Sequence, residues 1–126
     1  MKKILIVEDN APLCWLIERI LRGNYHVTLH DNALDAVAWL TEGNTCDLII
    51  TDLQMPGMSG VEFIRFLKQS GLYVHIPVIV LTADETGIDE CMNEGAASYL
   101  IKPFVPQHLV RHVTENLTRN VVASKS

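Results

Sequence analysis

The sequence lacks the features that would place it in a membrane, outside the cell or on a nucleic acid. No apolar stretch approaches the ~18 residues of a membrane span. After Met1, Lys2 and Lys3 the apolar run is cut short by Glu8 and Asp9, too early for a secretory signal. Basic residues are in the minority, ten Lys plus Arg against fifteen Asp plus Glu, for a net charge of −5. That balance argues against the basic footprint of direct nucleic-acid binding and against an anionic membrane surface. Cysteine is scarce: Cys14, Cys46 and Cys91 are odd in number and show no C-x-x-C spacing, which points to a reduced, cytoplasmic chain. There is no internal repeat, no low-complexity tract, and neither a P-loop nor a G-x-G-x-x-G fingerprint.

What is there suits one globular domain. The 126 residues are 48% apolar and 20% charged, enough for a single real core. Five β-like runs alternate with five helical patterns. Ile4 to Val7, Leu48 to Ile50 and Val78 to Leu81 are unbroken apolar runs, as expected of strands covered on both faces. Tyr25, Val27 and Leu29 alternate with His26, Thr28 and His30, which predicts a half-exposed edge strand, and a last short run spans Tyr99 to Ile101. Leu13, Leu16, Ile17, Ile20 and Leu21 recur at the helical period behind Asp9 or Asn10 as cap. Asn32 and Ser59 open two more helices, the second through a capping box with Glu62. Gly23, Gly43, Gly71 and Gly95 fall where helices must stop and predict left-handed caps. A final helix begins near Pro106, and residues 121–126 read as a frayed tail. Such alternation implies a parallel sheet with helices on both faces, whose ligand site lies beyond the carboxyl ends of the strands.

Those ends carry chemistry. Glu8 and Asp9 end the first run, Asp52 the third, Thr82 the fourth and Lys102 the fifth. Gathered acids repel one another unless their pKa values rise or a cation holds them. Hard carboxylate oxygens point to Mg²⁺, which keeps waters and accepts phosphate oxygens. An Asp in such a site can act as a nucleophile and form an acyl phosphate, with Lys102 and Thr82 stabilising the transferring group. Taken singly, each residue has a plainer explanation: Asp9 as a helix cap, Thr82 as a strand residue, Lys102 in a solvated loop. Their joint placement at four strand ends favours the site.

With VEDN after the first strand, TDLQMPGMSG after the third, LTA at the fourth and YLIKPF at the fifth, the chain resembles the receiver domain of two-component response regulators. The stand-alone chemotaxis regulator is the best-known single-domain form. The resemblance covers residues 2 to about 120 and implies a flavodoxin-like fold, a five-stranded parallel sheet in the order 2-1-3-4-5 flanked by five helices. It implies a receiver over residues 1–120, with 121–126 as a C-terminal tail. It places the phosphoacceptor on Asp52 and the metal ligands on Glu8, Asp9, Asp52 and Gln54, the last through its backbone carbonyl. The switch hydroxyl falls on Thr82, the charge-neutralising lysine on Lys102, the rotating aromatic on Tyr99, and a cis peptide bond between Lys102 and Pro103. It further implies Mg²⁺ as cofactor and a phosphohistidine donor, either a sensor kinase or a phosphotransfer protein. Output would be a downstream protein bound on the face of the fourth helix, fifth strand and fifth helix. The expectation is therefore a stand-alone regulatory phosphoprotein, not an enzyme in the ordinary sense, working by protein contacts without membrane or nucleic acid.

Two other functions compete. A Mg²⁺-dependent phosphohydrolase needs a second Asp two residues after the nucleophile, where this chain has Gln54. A non-phosphorylated module of the same fold is expected to lose one of Asp9, Asp52 or Lys102, and all are present. DNA-binding relatives often dimerise through acids just before the tyrosine and an arginine in the last helix; here Ala97, Ser98 and His112 occupy those places. Asp84, Glu85, Asp89, Glu90 and Glu94 make the fourth-helix region acidic, read as a solvated face or a docking patch for a basic partner. His108 and His112, four apart, are expected to form an exposed polar face rather than a zinc site.

Overall fold

Unbroken runs of Ile, Val and Leu form strands here because successive side chains point to opposite faces and both faces are covered. The computed structural model describes residues 1–125, with side chains described through Thr118. Strands and helices alternate: β1 (Lys3–Val7), α1 (Ala11–Leu21), β2 (His26–His30), α2 (Ala33–Thr41), β3 (Leu48–Asp52), α3 (Gly60–Lys68), β4 (Val78–Thr82), α4 (Ile88–Asn93), β5 (Ser98–Ile101) and α5 (Pro106–Lys125). The sheet is parallel in the order β2-β1-β3-β4-β5, as expected. Among the described residues no helix is long and apolar enough to cross a membrane.

The alternation divides the core into two layers. Leu5, Val7, Ile49, Val78 and Val80 face one side and pack with Phe63, Ile64 and Leu67 of α3 and with residues of α2 and α4. Ile4, Ile6, Ile50, Ile79, Leu81 and Leu100 face the other and meet Ile17, Leu21, Leu109, Val113 and Leu117 of α1 and α5. β2 is the expected half-exposed edge, but its burial does not follow the apolar–polar alternation: Leu29 is 41% exposed, while Thr28 and His30 are half-buried.

Local chemistry fixes the helix starts beside the carboxyl edge. Asn10 caps α1 by accepting from the Leu13 N–H at 2.9 Å, which leaves Asp9 outside the cap. Asn32 caps α2, and Ser59 with Glu62 forms the expected capping box on α3. Two expectations need correcting. Gly43 and Gly95 are left-handed, at φ 104° and 115°, but Gly23 and Gly71 are not among the positive-φ glycines. After α3 the residue following the cap Gln69 is Ser70, so Gly71 falls one place too late, and after α1 the Asn24 and Tyr25 N–H groups both close onto the Leu21 carbonyl, a turn in which Gly23 takes no positive φ. The expected tail, residues 121–126, lies outside the residues whose side chains are described.

Candidate functional site

Parallel strands carry their last residues to a common edge, and this geometry brings the candidate residues together. Asp52 is the last residue of β3 and Thr82 the last of β4, while Glu8 and Lys102 immediately follow β1 and β5. Glu8 is 1% exposed and Asp52 is buried, whereas Asp9 is exposed to solvent. Each of the three offers an oxygen, and these oxygens lie within 4.8 Å of one another. Among the described residues this is the one group of three or more His, Cys, Asp or Glu side chains so gathered.

Lys102 offsets the gathered charge. Its Nζ lies 2.7 Å from Glu8 Oε1 and 3.3 Å from Asp52 Oδ2. Burial opposes the ammonium charge, but the bond and charge of Glu8, with Asp52 behind it, outweigh burial and hold the Lys102 pKa above its ordinary value. Glu8 feels burial first, which raises its pKa, against the Lys102 bond and the Asn10 N–H at 3.1 Å from Oε2. The pair therefore sits as a short charge-assisted hydrogen bond at the floor of the site.

The remaining candidates stand as follows. Asp52 Oδ1 accepts from the Leu53 N–H at 2.7 Å and, more weakly, from the Gln54 N–H at 3.4 Å. Gln54 thus reaches Asp52 through its backbone amide, and its side chain is exposed. The Thr82 hydroxyl donates to the Asp84 carbonyl at 2.9 Å and accepts from the Asp84 N–H at 3.0 Å. Tyr99 lies on β5 beside Val80 and is 44% exposed, away from the carboxylates. The Lys102–Pro103 bond is cis. Gly60 completes the scaffold: a Cβ there would stand 2.5 Å from Asp52 O and 2.8 Å from Leu53 Cα, so the start of α3 presses directly on the acceptor loop.

Sequence reasoning missed several participants. The Cys14 thiol donates to the Glu8 carbonyl at 3.0 Å. The acidic run is partly paired: Arg65 of α3 bonds Glu94 at 3.0 Å and reaches Glu90 at 4.0 Å. His112 is half-buried, not part of a freely exposed polar face, because it meets Ser98 of β5. These contacts join different elements, and no spacing along the chain announces them.

A doubly wound parallel sheet with acids, a hydroxyl and a lysine at its carboxyl edge defines the receiver class, the phosphoacceptor domain of two-component signalling. The chain belongs to that family: the sequence model of the response regulator receiver domain matches residues 4–114. It is 38% identical over 121 residues to the phosphate regulon transcriptional regulatory protein PhoB of Pseudomonas aeruginosa, covering 94% of this chain and 52% of that protein. It is 33% identical over 123 residues to the DNA-binding response regulator MtrA of Mycobacterium tuberculosis, with coverage of 94% and 52%. The chain thus spans about half the length of the curated relatives it matches. Among solved structures, a response regulator receiver domain protein from Clostridium thermocellum superposes with TM-score 0.87 at 29% identity, covering 98% of this chain and 99% of that one. The receiver domain of a sensor histidine kinase from Pseudomonas aeruginosa, described with a magnesium ion coordinated in its active-site cleft, gives 0.85 at 31% identity, covering 93% and 98%. Receivers are regulatory domains, and an acidic pocket of this kind is where they bind Mg²⁺.

Proposed function

We propose that residues 1–120 act as a phosphorylation switch in the cytoplasm, accepting a phosphoryl group on Asp52 from a phosphohistidine of a sensor kinase or phosphotransfer protein. The observation that carries this reading is the meeting of three carboxylates with one lysine at the carboxyl edge of the sheet. The donor set fits Mg²⁺. Glu8, Asp9 and Asp52 supply hard oxygens close enough to share an ion, and the family resemblance adds the Gln54 carbonyl as a fourth ligand. When bound, the ion offsets the negative charge on the transferring phosphoryl group.

The chain's own residues do the rest. Asp52 Oδ1 accepts from the Leu53 N–H and Oδ2 from Lys102, which hold the carboxylate in place for attack. Its attack forms the O–P bond as the N–P bond of the donor imidazole breaks. Lys102, already beside Oδ2, follows the phosphoryl oxygens and stabilises their charge. The new group carries roughly −1.5 to −2 charge and fresh acceptor oxygens. Thr82 then turns its hydroxyl from Asp84 toward them, and Tyr99 moves into the vacated space. The altered face of α4, β5 and α5 is read by a downstream protein.

Incubation with Mg²⁺ and acetyl phosphate tests this by intact mass. One added phosphate is expected, and none without metal or in Asp52→Asn. If the adduct hydrolyses too quickly to see, a beryllofluoride complex takes its place. No adduct together with no beryllofluoride binding sinks the proposal.

A further inference from the structure

The side of β5 turned toward α5 carries a polar network that the phosphoacceptor site does not use. Leu100 packs into the α1–α5 layer, and alternation along the strand puts Ser98 on the same side and Tyr99 on the other. Asn116 of α5 is 3% exposed. Its Nδ2 donates to the His112 carbonyl at 2.7 Å and to Ser98 Oγ at 3.1 Å. The His112 carbonyl can only accept, so the amide turns its NH2 toward it and leaves Oδ1 buried without a partner. The Ser98 oxygen thereby accepts from Asn116 and keeps one further lone pair and its own proton for His112 Nδ1, 3.2 Å away. When the hydroxyl donates, Nδ1 is the acceptor and the neutral imidazole carries its hydrogen on Nε2.

We propose that His112 is a pH-sensitive tie between α5 and the switch strand: neutral, it holds β5 through Ser98; protonated, it lets go. A proton arriving from solvent on Nδ1 sets a donor against the Ser98 hydroxyl. To accept that hydrogen as well as the one from Asn116, the hydroxyl must turn its own proton away from His112, and the hydrogen bonds described for Ser98 offer it no other acceptor. The bond opens and the half-buried imidazolium turns toward water. The groups bearing on its charge all lie on α5: Arg111 and His108 oppose protonation and Glu115 favours it, while β5 contributes the uncharged Ser98 hydroxyl. Burial is the largest influence and holds the His112 pKa below its ordinary 6.5. The tie is therefore closed at neutral pH and opens under mild acid. Tyr99 is the next residue on the same strand, so opening loosens the support behind it. That last consequence rests on Tyr99 being the switch aromatic; the titration of His112 does not.

The test is an NMR titration of isotope-labelled full chain from about pH 8 to about pH 5, a range that spans the ordinary histidine transition. At the neutral end His112 is expected as the Nε2–H tautomer, with a pKa below 6.5. Ser98→Ala removes the hydrogen bond that favours the neutral ring, so the pKa should rise from its wild-type value, while burial still holds it below 6.5. The part of the Tyr99 ring shift that follows His112 in the wild type is lost in this variant. An Nδ1–H tautomer at neutral pH, or a pKa unmoved in Ser98→Ala, overturns the tie, and the tautomer is read in the wild type whatever the variant does. If Tyr99 ignores the His112 titration yet moves with beryllofluoride, the coupling is overturned and the switch reading stands. If Tyr99 ignores beryllofluoride as well, it is the switch reading that fails, and the tie is judged on the tautomer and pKa alone.

Discussion

Thr82 must give up two hydrogen bonds before its hydroxyl can serve a phosphoryl group on Asp52, because Asp84 N–H and C=O hold it from the loop after β4. A typical intramolecular hydrogen bond is worth about 0.5–1.5 kcal/mol net and a charge-assisted bond to a phosphoryl oxygen roughly twice that, so two bonds lost for one gained is a near-even exchange, which lets the phosphate set the balance. Thr82→Ala is expected to leave acetyl-phosphate labelling of Asp52 within a few-fold of wild type, since the nucleophile and Lys102 are untouched. The beryllofluoride-induced shift of the Tyr99 resonances should shrink severely, whereas Thr82→Ser should keep it. The thiols give a second prediction at this scale. Burial pushes Cys14 and Cys91 up to about 11 and Cys46 to about 12, with nearby carboxylates adding to the rise. At pH 8 only about a thousandth of a thiol with a pKa of about 11 is thiolate. A disulfide reagent should therefore react slowly with the native protein and promptly with all three thiols in denaturant.

At the scale of elements, the contact between α3 and the end of β3 sets the acceptor geometry. Gly60→Ala would drive a methyl group into Asp52 O and Leu53 Cα, backbone atoms that cannot swing aside. Overpacking of this kind costs about 1–3 kcal/mol or more, so the urea midpoint should fall, and labelling of Asp52 should fall with it because the acceptor loop must shift. Gly43→Ala, strained only by its left-handed φ of 104°, should cost about 1 kcal/mol and leave labelling unchanged, since Gly43 lies outside the acceptor loop. This contrast also explains what the sequence made legible. Buried strands advertise themselves by unbroken apolar runs, and a parallel sheet delivers its carboxyl ends to one edge, so Glu8, Asp52, Thr82 and Lys102 could be grouped from chain position alone. The Ser98–His112–Asn116 network could not. It depends on how α5 is rotated against β5, and fourteen residues separate Ser98 from His112. The same holds for Arg65 and Glu94, joined only because α3 packs beside α4. Gly71 misled because a glycine after a helix signals a stop without saying which residue follows the cap.

Across the whole molecule, net charge −5 is least well placed where function is concentrated. Three carboxylates gather around one lysine at the carboxyl edge, and among the described residues Lys102 is bonded to Glu8 and Asp52 while Asp9 has no side-chain hydrogen bond or ion pair. Crowded like charges destabilise the folded state in the absence of a cation, which is the usual conflict between stability and activity at a working site. Asp9→Asn should therefore raise the melting temperature of the metal-free protein, by a few degrees at most for an exposed position. Mg²⁺ should reverse the ranking. A ligand that binds only the folded state stabilises it by about 2.7 kcal/mol when free ligand is about a hundred times Kd, and that gain belongs to the wild type, while the variant, short of one ligand, should gain little. Thermal melts of both proteins with and without Mg²⁺, and again after chelation by EDTA, measure this directly. The expected pattern is a crossing of the two melting temperatures on adding metal and a return on removing it. If wild type and Asp9→Asn instead respond equally to Mg²⁺, the ion is held elsewhere and the carboxylate cluster is not its site.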